Sequence, residues 1–154
     1  MNLLLKLNQY NIDNIYLCEP IKNNIISDGS FIRIIYSSDN FILNGVYLVF
    51  NLNNIFINKI YNKYQCLFST IAHTKLILQI KQIEEQILKK CNITNKTPQF
   101  KLYEQLTFGN IKVFNEPKNN QSFILKISGI WETSNKYGIT YKFLIANNIY
   151  PSVE

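Results

Sequence analysis

Residues with versatile chemistry are scarce in this chain of 154 residues, which contains one histidine, three cysteines and a single tryptophan. A structural zinc site needs four clustered nitrogen or sulfur ligands, whereas Cys18, Cys66 and Cys91 lie far apart and form no CxxC pair. His73 is the single candidate for a histidine base that activates a nucleophile, and the ten acidic residues show no DxD or ExxE pattern. The five glycines form neither a P-loop nor a GxGxxG motif. The sequence therefore predicts a protein that is not an enzyme and that holds no metal or cofactor.

Long apolar segments are also lacking. An apolar run of only three residues precedes Lys6 near the N-terminus, which is too short for a signal peptide, and no stretch approaches the roughly 18 residues of a membrane span. Charged residues make up 17% of the chain and hydrophobic residues 47%, whereas a disordered chain shows the opposite balance. We therefore expect one folded domain over residues 1–154 with a short loose tail over about 146–154. We expect an intracellular protein that is neither secreted nor bound to a membrane.

Arginine is nearly absent, since Arg33 stands alone beside fifteen lysines. The net charge of +6 and the pI near 9.2 favour a polyanionic partner such as nucleic acid. The alternative is that the lysines only keep an apolar domain soluble. Arginine reads guanine edges with two hydrogen bonds, whereas lysine acts as a point charge on phosphate. If the protein binds nucleic acid, we expect little sequence preference.

Alternating apolar residues predict strands on both sides of one helix. The helix is predicted over about residues 70–91 from apolar residues at helical spacing, namely Leu76, Ile80, Ile83, Ile87 and Cys91. His73 lies at the polar start of this helix, where we expect a solvent-facing or capping role. Strands are predicted before the helix over 3–7, 15–18, 31–37, 41–52 and 55–61, and after it over 100–106, 111–114, 123–131 and 137–145.

This order of elements predicts an α+β fold, built mostly from antiparallel β-hairpins around one long central helix. An oligonucleotide-binding (OB) barrel places three strands, a helix and two further strands in the same order. We favour an OB-like barrel, although the additional strands fit it poorly. An α+β sheet with one packed helix is the competing architecture.

The last two predicted strands combine aromatic rings with lysines, as single-stranded nucleic-acid-binding proteins do. Every second residue from Phe123 to Trp131 is expected on one face of the first strand, and every second residue from Tyr137 to Phe143 on one face of the next. Aromatic residues at this spacing are usually core, so Trp131 and Tyr137 near the hairpin tip are the best candidates for exposure. The predicted site combines rings that stack on bases with cations that contact phosphate: Tyr36, Tyr47, Trp131, Tyr137 and Tyr141, with Arg33, Lys112, Lys126, Lys136 and Lys142.

Three stretches carry a resemblance to known proteins: LKISGIWETSNKYGITYKF (125–143), FIRIIYSSDNFILNGVYLVF (31–50) and KLYEQLTFGNIKVF (101–114). They are similar to small proteins of nucleocytoplasmic large DNA viruses, particularly the mimivirus-like and algal-virus groups. Such proteins have been likened to single-stranded DNA-binding proteins with OB folds. The resemblance covers less than half of the chain and implies that fold, a role in viral DNA replication or recombination, and a location in the host cytoplasm (viral factory) or nucleus. The ending PSVE departs from the acidic tail common in phage-type replication proteins, which puts recruitment of replication enzymes through such a tail in doubt.

Two hypotheses follow. The first is a non-sequence-specific protein that binds single-stranded DNA, with RNA as an alternative ligand. The second is a structural or scaffold protein of a large DNA virus that assembles into a homo-oligomer through its aromatic sheet. Loss of oligonucleotide affinity with rising salt distinguishes the first, and a stable oligomer whose interface covers the aromatic hairpin distinguishes the second.

Overall fold

The computed structural model describes residues 4–22, 29–118 and 120–146, and within these ranges the chain forms twelve strands and two α-helices. The strands are β1 (Leu5–Lys6), β2 (Ile15–Leu17), β3 (Ile21–Lys22), β4 (Ser30–Ser37), β5 (Ile42–Leu43), β6 (Val46–Asn51), β7 (Phe56–Ile60), β8 (Lys63–Leu67), β9 (Thr97–Gln99), β10 (Asn110–Val113), β11 (Ser122–Glu132) and β12 (Lys136–Ile145). The helices are α1 (Thr74–Lys90) and α2 (Lys101–Thr107). The predicted α+β class is confirmed. Neither helix within the described ranges is long and apolar enough to cross a membrane.

Strand β11 is the centre of the main sheet. Along one edge it pairs with β12 over nearly its whole length. Along the other edge β6 pairs with residues 122–127 and β4 with residues 129–132. β1 and β9 add parallel strands beside β6 and β12, and β2, β3 and β5 pair with β4. A separate antiparallel sheet has the order β7-β8-β10. Neither sheet closes on itself, so the predicted OB-like barrel is not confirmed.

The hairpin predicted from residues 31–37 and 41–52 forms only in part. β4 confirms its first strand, but the second divides at Gly45 into β5, which pairs with β4, and β6, which pairs with β11. Gly45 has a φ of 104°, and a Cβ atom there would lie 2.8 Å from the carbonyl oxygen of Ile127. A glycine is required at this close approach. The chain therefore leaves the short hairpin and joins the middle of the sheet.

Helix α1 confirms the predicted central helix, with Ile80, Ile83 and Ile87 on its buried face. It is followed by Asn92 in the left-handed conformation (φ 52°), a common way for a helix to end. It begins at Thr74 rather than near residue 70, because residues 70–73 form a turn.

The prediction that His73 faces solvent or caps α1 is wrong. The side chain is buried and makes no capping hydrogen bond to the helix. Its Nδ1 donates to the carbonyl of Ser69 at 2.7 Å, and its Nε2 accepts from the backbone amide of Asn53 at 3.0 Å. His73 therefore fastens the loop after β6 to the start of the helix.

The strand predicted over 100–106 is also wrong, because these residues form helix α2 from Lys101 onwards. Leu102 and Leu106, one helical turn apart, are fully buried. The first amides of a helix need acceptors, and here the buried carboxylate of Glu84 accepts from Leu102 N at 3.0 Å and from Tyr103 N at 2.9 Å. Burial raises the pKa of Glu84, although both backbone hydrogen bonds act to lower it.

The main hydrophobic core lies between one face of the main sheet, both helices and the three-stranded sheet. Fully buried members come from every one of these layers: Ile34, Leu48, Ile80, Leu102, Ile111 and Leu125. Both helices therefore pack on the inner face of the main sheet. Its opposite side, which we call the outer face, is the location of the candidate site.

Candidate nucleic-acid interface

The outer face consists of the alternate residues of β4, β6, β11 and β12 that point away from the helices. Cross-strand pairing creates two rows of neighbouring residues on this face. The first row is Phe31, Trp131 and Gly138. The second row is Tyr47, Lys126 and Lys142. Arg33 pairs with Gly129 between these two rows. Rings and cations from strands distant in sequence thus meet on one surface.

Two aromatic rings lie across glycines of the outer face. A Cβ atom added to Gly129 would lie 2.5 Å from Cζ of Phe31, and one added to Gly138 would lie 2.7 Å from Cζ2 of Trp131. Because glycine has no side chain, each ring packs directly against the backbone of the neighbouring strand. Both rings are partly exposed, so they offer a surface on which a planar base can stack.

A β-bulge decides on which side Trp131 lies. The register of the β11–β12 pair shifts between Ile127 and Gly129, which leaves Ser128 as an extra residue. Up to Ile127 the odd-numbered residues face the core, whereas beyond the bulge Ile130 does so. The prediction that every second residue from Phe123 to Trp131 shares one face is therefore wrong for Gly129 and Trp131.

Four cations lie on the same face of the sheet as the rings. Lys126 and Lys142 are direct cross-strand partners, and Nζ of Lys126 lies 5.4 Å from the centroid of the Tyr47 ring. Arg33 and Lys136 are exposed. The outer-face positions of these four strands contain no carboxylate, and the two salt bridges found among the described residues, Lys81–Glu85 and Lys96–Glu132, lie elsewhere. Like charges directly opposite each other destabilise a sheet, so an anion bound between Lys126 and Lys142 would stabilise this one.

Three predicted stacking residues prove to be buried. Tyr36 is 1% exposed and its hydroxyl accepts from the amide of Asn11, because its strand position faces the core. Tyr137 is 7% exposed for the same reason, since alternation along β12 turns it inward. Tyr47 lies on the outer face but is 5% exposed, packed against Leu4 and Ile124. The structure therefore corrects all three to packing residues, and Tyr47 supports Lys126 rather than a base.

Two further predicted residues lie away from the outer face. Lys112 belongs to β10, and Tyr141 faces the helices, where its hydroxyl donates to Oε1 of Gln105 at 2.6 Å. Burial raises the pKa of Tyr141 to about 12, so it stays neutral. The structure thus brings together five of the predicted residues as exposed or partly exposed side chains of the outer face: Arg33, Lys126, Trp131, Lys136 and Lys142.

Phe31 and the two glycines beneath the rings were not among the predicted site residues. Glycine inside a strand often marks a close approach of another group, and Gly129 and Gly138 carry that signal. The pairing of β4 with β11 joins residues about a hundred positions apart, as in Phe31 with Trp131. No local pattern reveals that pairing.

No protein-family model, no curated protein and no solved structure matches this chain. The part of the chain that the structure describes contains no group of three histidine, cysteine or acidic side chains placed to hold a metal ion. The chemistry of the outer face is therefore the basis for inferring what this protein does.

Proposed function

We propose that the protein binds single-stranded DNA without sequence preference, and that the outer face is its contact surface. One observation carries this proposal: two partly exposed rings, Phe31 and Trp131, lie across glycines on a sheet face that has cations and no carboxylate. Stacking on rings and neutralisation of phosphate by cations are the two interactions that such binding requires. Sheet faces with exposed aromatic residues bind single-stranded RNA by the same chemistry, so RNA is the alternative ligand.

The cation content argues for binding that ignores sequence. Three of the four cations on the outer face are lysines, which contact phosphate as point charges, and Arg33 alone can form a two-pronged hydrogen bond with a base. Through the viral resemblance we further propose that the activity serves DNA replication or recombination of a large DNA virus, in the viral factory or the nucleus.

Fluorescence anisotropy with labelled oligonucleotides tests the proposal. We expect the wild-type protein to prefer a single strand of about 12 nucleotides over the matching duplex, because only unpaired bases offer their faces for stacking. Trp131→Leu should weaken binding by about 1–3 kcal/mol, whereas Trp131→Phe, which keeps an aromatic face, should retain most of the affinity. Lys126→Gln should reduce the slope of log K against log salt by about 0.7.

Lys89→Gln is the matched control, because Lys89 is exposed on α1, which packs on the opposite face of the sheet. It should leave both affinity and salt slope close to wild type. If Lys89→Gln and Lys126→Gln weaken binding equally, the attraction is only a general effect of net charge and the outer face is not the site.

The second candidate function is assembly through the same face. Tyr16 and Ile21 lie beside the outer face on β2 and β3, and they are 57% and 61% exposed. Such an apolar rim would also suit a homo-oligomer. Sedimentation velocity distinguishes the two, because a concentration-dependent oligomer that Trp131→Leu dissociates, together with absent oligonucleotide binding, would favour assembly.

A further inference from the structure

A groove lies beyond the edge of β12, between that strand, α2 and the three-stranded sheet. Three adjoining cavities of about 380, 330 and 260 Å³ form it. Lys112 lines all three cavities, and Tyr141 lines the second and third. β9 pairs only with residues 136–138 of β12. Residues 141–143 of β12, which line the groove, therefore do not pair with β9.

The groove is strongly cationic. Its lining includes Lys63, Lys101, Lys112 and Lys142, with Glu104 as the one carboxylate among the described lining residues. None of these lysines takes part in the salt bridges found within the described ranges. Four ammonium groups around one concave surface attract a polyanion.

Three highly exposed aromatic rings line the same groove. Tyr61, Phe108 and Phe114 are 94%, 72% and 59% exposed. Nζ of Lys63 lies 5.2 Å from the centroid of the Phe114 ring. Tyr61 occupies the β7–β8 turn with a φ of 53°, a conformation that bulky residues rarely adopt. Exposed rings alternating with cations are the composition of a surface that binds unpaired bases and their phosphates.

Lys142 connects the groove with the outer face. By register it lies on the outer face opposite Lys126, and it also lines the third cavity of the groove. The cations therefore continue around the edge of β12 from Lys126 through Lys142 to Lys112. This continuity indicates one path for an anionic chain.

We propose that the groove is a second contact region for single-stranded nucleic acid, which receives the strand as it leaves the outer face over Lys142. This inference rests on the proposed function and extends it. Phosphates contact Lys63, Lys101 and Lys112, and bases pack against Phe114, Phe108 or Tyr61. A strand that spans only the outer face makes none of these contacts, so the groove contributes to the binding of long oligonucleotides alone.

The test compares deoxythymidine oligonucleotides of about 5 and about 15 nucleotides, lengths within the range of known single-strand sites. Anisotropy reports total binding. Trp131 is the single tryptophan of the chain, so quenching of its fluorescence reports occupancy of the outer face separately. The groove variant is Lys63→Gln with Lys112→Gln, both exposed residues, and the charge-matched control is Lys75→Gln with Lys89→Gln, both on α1. Circular dichroism confirms that each variant is folded.

We expect the groove variant to lose about tenfold in affinity for the long oligonucleotide, since each lost phosphate contact costs about threefold. Its affinity for the short oligonucleotide should stay within about twofold of the control, and saturating DNA should still quench Trp131. If the groove variant binds the long oligonucleotide as tightly as the control while Trp131→Leu weakens binding, the inference is refuted and the proposed function stands. If no oligonucleotide quenches Trp131 or changes anisotropy, the proposed function is refuted, and the inference with it.

Discussion

Glu84 offers the most quantitative test of how this fold is held together. Its side chain is fully buried, and its two carboxylate oxygens accept from the amides of Leu102 and Tyr103. In Glu84→Ala both amides lose their acceptor in the interior, at about 1–3 kcal/mol each. Removal of a buried charge offsets part of this cost. We therefore expect the free energy of unfolding to fall by about 2–4 kcal/mol, a large share of the roughly 5–15 kcal/mol typical of a domain.

Glu84→Gln separates the loss of hydrogen-bond acceptors from the removal of the buried charge. The amide group keeps one acceptor oxygen but presents an NH₂ donor where the second oxygen stood, so one backbone amide loses its acceptor. We expect a loss of about 1–2 kcal/mol, intermediate between wild type and alanine. Urea unfolding followed by circular dichroism measures all three proteins. A Glu84→Ala variant within about 0.5 kcal/mol of wild type would refute the role of this carboxylate in holding α2.

The contribution of Glu84 to the free energy of unfolding should depend on pH, and the direction of its pKa shift determines the sign. Burial raises the pKa of Glu84 above its ordinary value of 4.5, so the folded state holds this proton more tightly than the unfolded state does. The contribution of Glu84 to stability is therefore greatest below pH 4.5 and is lost as pH rises through the folded pKa. Glu84→Gln should lack this decline. A wild-type stability that rises with pH across that window, with the same rise in Glu84→Gln, would contradict the assignment.

Two further predictions concern the main sheet. Lys96→Met removes the 2.7 Å contact with Glu132, and we expect it to cost about 1–2 kcal/mol at pH 7. Because Lys96 and Ser30 hold the pKa of Glu132 below 4.5, the difference from wild type should vanish in urea titrations as pH falls through that lowered pKa. Gly138→Ala forces the Trp131 ring from its place and should cost about 1–3 kcal/mol, with a change in tryptophan emission. Unchanged emission in a folded Gly138→Ala protein would show that the ring does not lie across the glycine.

Local patterns were sufficient for the buried face of α1 and for strand β12. The spacing of Ile80, Ile83 and Ile87 reflects burial along one helix face, and the alternation in β12 correctly separates Lys142 from Phe143. Both elements are long and amphipathic, so the chain around each residue carries the information that determines its structure.

The regions that were predicted wrongly are those whose structure depends on tertiary contacts. Residues 101–107 are helical although a strand was predicted over 100–106, and the carboxylate that accepts the first amides of this helix lies in α1, at Glu84. One extra residue, Ser128, moves Trp131 to the opposite face. A bulge of this kind cannot be recognised reliably from the alternation of apolar and polar residues along the strand. Four of the five predicted cations lie on the outer face and are exposed or partly exposed, because charged side chains rarely become buried. Among the predicted aromatic residues, Tyr36 and Tyr137 lie in the core instead, because an aromatic ring in a strand serves equally well there.

The position of β11 in the chain has a consequence for synthesis on the ribosome. β4 and β6 both pair with β11, end to end along one edge, yet at least seventy residues separate each of them from it. In a nascent chain that has not reached residue 122, β4 and β6 therefore each have an edge whose backbone hydrogen-bonding groups lack their partner strand, β11. Such edges are prone to pair with other chains, so we expect the final strands, once translated, to be the step that commits the N-terminal half to its native sheet.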